Sequence, residues 1–249
     1  MSVLPRPIPG ASRLVALLLL LALMPPSPPA RAETLADLTF SMLKEVERLR
    51  GLEPTRTVGI GQRSPEDLRA LLRQRIVEEY TAEQLAGFQR LLALTGLIPT
   101  DYDLIGRYVA LMAARALGYY DFHTKTLFLS TTTEPPLRAS VVLHELTHAL
   151  QDQHFFIHRR LKALNENEDA RTALGALIEG EATALMLEHL LKMEPSGHRF
   201  YTVATDELVS YLAEGGEAFM DEPPVMLDLI YFPYRAGLPF IKAVRRRRP

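Results

Sequence analysis

The sequence predicts an α+β fold that is mainly α. Apolar residues recur at helical spacing over most of residues 33–193, and that pattern is interrupted near residues 118–132 by a segment rich in aromatic and β-branched side chains. A length of 249 residues with 47% apolar and 23% charged side chains is enough to build a core. The chain has no cysteine, which excludes disulfides and thiol-based catalysis or metal binding. Its 28 basic and 30 acidic residues argue against a general nucleic-acid binder.

Residues 1–32 read as a secretory signal. Arg6 and Arg13 accompany an unbroken apolar run from Leu14 to Met24, Pro25 to Pro29 end it, and Ala30-Arg31-Ala32 offers small residues for cleavage before Glu33. The run is about half the roughly 20 residues needed to span hydrocarbon. The expectation is export to the periplasm or beyond, with no stable membrane span after cleavage. The remaining chain has 25 basic and 30 acidic residues, a formal charge of −5.

Leu35, Leu38, Met42, Leu43 and Val46 share one face of a helix spanning about Glu33 to Leu52. Arg50 to Arg63 reads as a loop. Ser64-Pro65-Glu66-Asp67 is a helix start, with a cap, a proline in the first turn and acids near the positive end. Thr81 and Gln84 form a capping box for a helix ending near Gly96, and another runs from about Asp101 to Gly118. Residues 33–117 are thus an N-terminal helical region. Tyr119 to Asp121 and Thr126 to Thr132 flank Phe122 to Lys125 as a β-hairpin. Pro135-Pro136 opens the next helix, and another runs from about Ala170 to Met193 after the polar stretch Asn165 to Asp169. Five prolines between 195 and 239 predict short helices and turns there, and 245–249 read as a basic tail.

Val141 to Leu150 reads V-V-L-H-E-L-T-H-A-L. His144 and His148 lie four apart, so on a helix both imidazoles leave one face and can hold a single metal ion. Glu145 is rotated by about 100 degrees, suited to serve a water beside the metal as general base without ligating it. The competing reading is a core helix with incidental histidines. A buried, unpaired Glu145 would then be costly, and a divalent cation relieves that cost. Catalytic zinc sites use three protein ligands and one open position, and without cysteine the third must be His, Asp or Glu. Glu179 and Glu181 both lie in a largely apolar helical stretch beside Leu174, Leu177, Ile178, Leu185 and Met186. Glu179 is favoured as ligand, because Ala176, Ala182 and Thr183 one turn away allow close helix approach, whereas Glu181 points elsewhere, solvated or behind the ligands.

Val141 to Leu150 resembles the extended zincin consensus, and Ile178-Glu179-Gly180-Glu181-Ala182 is similar to the N-E-G-F-A segment of gluzincin aminopeptidases. The resemblance implies one Zn2+ per chain held by His144, His148 and Glu179, with Glu145 as the base. The interval of 31 positions between His148 and Glu179 is longer than in those aminopeptidases, which assigns residues 154–169 to an inserted loop or helix. Gly118 to Asp121, the stretch from His144 to Phe155, and Phe232-Pro233-Tyr234-Arg235-Ala236-Gly237 together resemble uncharacterised secreted bacterial proteins with a zincin-like domain. Relatives of that kind continue further, so the resemblance implies a zincin-like domain over 118–244 that is C-terminally shortened.

Further residues are candidates around this core. Asp152, one turn beyond His148, could orient a histidine. Tyr234 is a candidate oxyanion donor, with Tyr231 and His198 as alternatives. His154 and His158 are assigned to helix-end or surface roles. Leu127 to Ser130 is the candidate strand for pairing with an extended peptide, or else a buried structural strand. The expected function is zinc-dependent hydrolysis of peptide bonds in a peptide or protein substrate. The alternative is a non-catalytic, metal-retaining binding or folding-accessory module.

Overall fold

A computed structural model describes residues 34–190 and 221–247. The expected signal segment and His198 lie outside them. The described residues form an α+β, mainly helical fold of eight helices and three strands. In chain order these are α1 (Leu35–Arg50), β1 (Gly59–Arg63), α2 (Pro65–Glu79), α3 (Ala82–Leu94), α4 (Leu104–Arg115), β2 (Gly118–Asp121), β3 (Thr126–Ser130), α5 (Pro135–Phe155), α6 (Ile157–Ala163), α7 (Glu168–Leu190) and α8 (Pro224–Arg247). No helix among them is long and apolar enough to cross a membrane.

Thr34 with Asp37, Ser64 with Asp67 and Thr81 with Gln84 close reciprocal capping boxes on α1, α2 and α3. Gly51, at φ 69°, ends α1 in the left-handed region. The stretch expected to be a loop, 50–63, contains β1. Short and half exposed, β1 has too little apolar alternation to stand out, and it forms by pairing in parallel with β3. β2 lies antiparallel on the other side of β3, so the sheet order is β1-β3-β2.

Two expectations change as a result. Leu127 to Ser130 lies in the central strand, whose main chain is used on both sides, so it cannot accept a peptide; the edge strand beside the long helix α5 is β2. The boundary at 117/118 does not divide the core either. Val46 of α1 packs in one cluster with Leu127 and Leu129 of β3, Val142, Leu146 and Leu150 of α5, and Leu185 of α7. Residues 33–117 therefore supply both a strand and a packing face to the same core as β3, α5 and α7.

The hairpin turn is held by Asp121, which is fully buried. Its carboxylate accepts from Arg75 Nε at 3.0 Å and Nη2 at 2.7 Å, and from the His123 amide and the Thr124 hydroxyl. α5 is buried almost continuously from Ser140 to Gln153. It stops where Phe156 takes φ 54°, and α6 follows, so much of the expected insertion at 154–169 is helical.

α8 departs most from expectation. Instead of short helices and turns it is one 24-residue helix with Pro233 and Pro239 inside it. An interior proline costs about 3 kcal/mol, and packing along α8 offsets it. Met226, Ile230 and Tyr231 pack with Leu92, Ile98, Leu104 and Leu111, while Leu238 and Ile241 pack with Ala184 and Leu187. Arg245 to Arg247 form the last turn of this helix rather than a tail, with Arg245 paired to Glu188.

α7 and α8 cross at glycine. A Cβ added to Gly237 would lie 1.8 Å from the Ala176 carbonyl oxygen, and one added to Gly180 would lie 2.3 Å from the Gly237 carbonyl carbon. Both obstacles are backbone, which no rotamer change relieves. Gly237→Ala is expected to destabilise the protein by about 3 kcal/mol, the upper end for overpacking. Urea unfolding measures this, and a stability equal to wild type would show that the helices are free to separate.

Candidate metal centre

His144 and His148 leave α5 on the face turned to α7, and Glu179 leaves α7 toward them. His144 Nε2 and His148 Nε2 are 3.1 Å apart, and Glu179 Oε2 lies 3.2 Å from the first and 3.5 Å from the second. These three form a group that could hold a metal ion, the one such group found among the described residues. The expected ligand residues are thus brought together. Glu181, two residues from Glu179, faces away and is drawn to Gln151 and Arg50.

The electrostatics follow from enclosing one more carboxylate than the cluster needs. Burial would raise Glu179, but His148 and His144 hold it far below the usual glutamate range. Burial raises Glu145, and the two histidines only partly oppose it. Burial alone would lower His148, but the Glu179 carboxylate, helped by Glu145 and Gln151, lifts it to about 9. Without metal, this raised value stabilises the fold fully below the unfolded histidine range, and that contribution is lost as pH rises through about 9.

A metal entering at neutral pH must therefore displace the His148 proton. Uptake is expected to release about one proton per ion, with affinity rising about tenfold per pH unit between about pH 7 and 8.5. Calorimetry in buffers of different ionisation enthalpy reads this directly. Uptake with no proton released would remove His148 from the ligand set.

Glu145 does not converge with the three donors. It sits beside β2, where a Cβ on Gly118 would come 3.3 Å from Glu145 Oε1 and 2.6 Å from Val141 Cγ1. Glycine at 118 is what lets the strand descend onto α5. The Tyr120 backbone N–H, in the same strand, donates to the Glu145 carboxylate.

Tyr234 reaches the cluster from α8. Its hydroxyl bonds the Glu179 carboxylate, and burial together with Glu179 and Glu145 pushes its pKa well above the tyrosine range, so it stays a donor. Tyr108 of α4, which sequence reasoning passed over, is raised to about 12 by burial, with Tyr80 and Glu179 adding to the shift.

Asp152 is a correction. Its carboxylate takes Lys125 Nζ at 2.7 Å and the His158 amide at 3.1 Å, bracing the hairpin against the end of α5, and no bond from it to His144 or His148 is found. The residue that does reach His148 is its neighbour Gln151, with Oε1 2.9 Å from Nδ1. Gln151 lies one turn past His148, which was the available signal, but an amide is less conspicuous there than an acid. His154 Nε2 bonds the Glu53 carbonyl and His158 Nδ1 the Phe122 carbonyl, both away from the cluster.

Comparison with protein-family models, curated proteins and solved structures returns no match. The resemblance to zincins therefore stands on the motifs quoted above.

Proposed function

We propose that the protein is an exported zinc-dependent peptidase. The observation that carries this is the division of labour among the buried acids: Glu179 completes a three-donor cluster with two histidines, while Glu145 is buried next to it and left over. Zinc bonds of about 2.0–2.1 Å in a tetrahedron require donors about 3.3 Å apart, and separations of 3.1, 3.2 and 3.5 Å bracket that value. Calcium, which takes six to eight oxygens, does not suit two imidazoles. Two histidines and a glutamate with one position open is a catalytic rather than a structural donor set.

Zinc bound there supplies a Lewis acid, which lowers the pKa of water and polarises a carbonyl. The chain's own residues do the rest. Glu145, held by the Tyr120 N–H and raised by burial, accepts the proton from water and returns it to the leaving amine. As the edge strand, β2 is the strand placed to pair with an extended peptide through the main-chain groups that Glu145 does not occupy, which brings the scissile carbonyl alongside Glu145. Tyr234, kept protonated, provides a donor from the opposite helix for the developing oxyanion once its single O–H turns from the Glu179 carboxylate.

Zinc content and hydrolysis of a broad peptide library test the reading on the purified protein. One zinc per chain with cleavage supports it. One zinc without cleavage would point instead to the metal-retaining module, and no zinc at all would overturn both.

A further inference from the structure

We infer that Gln151 is the positioning residue for His148, the middle of a relay that starts at Arg50 on α1 and passes through Glu181 on α7. The inference rests only on the metal-binding part of the proposal above, and it gives Glu181 and the end of α1 a role in the site.

The distances form a continuous chain. His148 Nδ1 lies 2.9 Å from Gln151 Oε1. Gln151 Nε2 donates to the Ile178 carbonyl at 3.1 Å and to Glu181 Oε2 at 2.9 Å. Glu181 Oε1 lies 2.6 Å from Arg50 Nε, an ion pair rather than an aligned hydrogen bond, since Nε has no hydrogen-bond partner among the described residues. The chemistry allows one orientation of the amide. A carbonyl and a carboxylate both only accept, so the NH2 group must face them and the oxygen must face His148. His148 Nδ1 is then the donor, and the Nε2 lone pair is left for the metal, 3.1 Å from His144 Nε2. A metal-ligating histidine is oriented by the partner of its other nitrogen, and losing such a partner lowers metal affinity ten- to a hundredfold.

The relay fixes Gln151 from both ends. Gln151 is 4% exposed, so its amide has no water to exchange its partners for. Glu181 holds the NH2 group, and Arg50 holds Glu181 in turn, which ties the C-terminal turn of α1 to a ligand 98 positions later. The other imidazole lacks such a brace, since His144 Nδ1 is buried without a hydrogen-bond partner among the described residues. The site therefore has one oriented ligand and one free to reorient.

Titration of Zn2+ against a chromophoric chelator, the visible spectrum of the Co2+ form, and thermal unfolding of the metal-free proteins test the relay together. Gln151→Ala is expected to weaken Zn2+ binding ten- to a hundredfold and to change the Co2+ spectrum. Gln151→Glu is expected to do the same, because it sets a second carboxylate against Glu181. Exchanging the two groups, in Gln151→Glu with Glu181→Gln, restores an acceptor toward His148 and a donor toward position 151 but leaves the Ile178 carbonyl without its donor, and is expected to recover part of the lost affinity. Wild-type affinity in Gln151→Ala, or a double variant no better than Gln151→Glu, overturns the inference. Should the Gln151 variants fail to fold, Arg50→Met decides: several-fold weaker Zn2+ binding supports the relay, and unchanged binding overturns it. A wild-type protein that takes up no Zn2+ would sink the metal reading itself, which is a separate result.

Discussion

Glu145→Gln is expected to keep zinc at one per chain and to lower peptide hydrolysis by a factor of about 10² to 10⁴, the usual contribution of a positioned general base. The substitution is close to isosteric in a place where volume matters, since Glu145 is 8% exposed and packed beneath Gly118. The glutamine carbonyl still accepts the Tyr120 N–H, so the contact between α5 and β2 survives. What disappears is the ability to take a proton. Because burial raises Glu145 at some cost to the fold, the neutral variant is expected to be no less stable than wild type. Zinc content, steady-state hydrolysis and thermal unfolding on the same preparations separate these effects. Hydrolysis at the wild-type rate would remove Glu145 from the mechanism, and loss of zinc together with activity would make it part of the ligand set.

The fold was legible where local chemistry dominates. The caps at Ser64 and Thr81 are short-range signals, and both close in the structure. The hairpin was legible because Asp121 and the residues after it satisfy each other within a few positions. β1 was not, because it pairs with a strand more than sixty positions away and carries no apolar alternation of its own. α8 was misread for a related reason. Pro233 and Pro239 are local evidence against a helix, whereas the packing against α3, α4 and α7 that overrides them is non-local.

The candidate site shows the same division. His144 and His148 were visible as one helical face, with Glu145 about 100 degrees from it. Glu179 was visible as an acid in an apolar stretch, and one of the small residues beside it, Ala176, meets Gly237 of α8 at its backbone. Asp152 and Gln151 illustrate the limit. Both lie about a turn from His148, and the sequence offered the carboxylate as a partner with plain solvation as the equal alternative. The choice was settled by Lys125 of the hairpin turn, which draws Asp152 away, and by Glu181, which fixes the Gln151 amide.

Glu179→Ala is expected to cost more than a hundredfold in zinc affinity, beyond the ten- to hundredfold range for residues that only orient a ligand, whereas Glu181→Ala is expected to stay within that range and retain the metal. The two glutamates are two positions apart in the same helix, so the comparison holds the residue type constant and varies its direction. Glu179 Oε2 lies within 3.5 Å of both Nε2 atoms, and its removal leaves two donors where catalytic zinc sites use three. It also removes the carboxylate that lifts His148 to about 9, so the proton released on any residual zinc uptake should fall below one. Glu181 has no such contact; its oxygens are committed to Gln151 and Arg50. Chelator competition with proton counting on both variants tests the assignment. Zinc held by Glu179→Ala but lost from Glu181→Ala would reverse it, and would place the third ligand on the opposite side of α7.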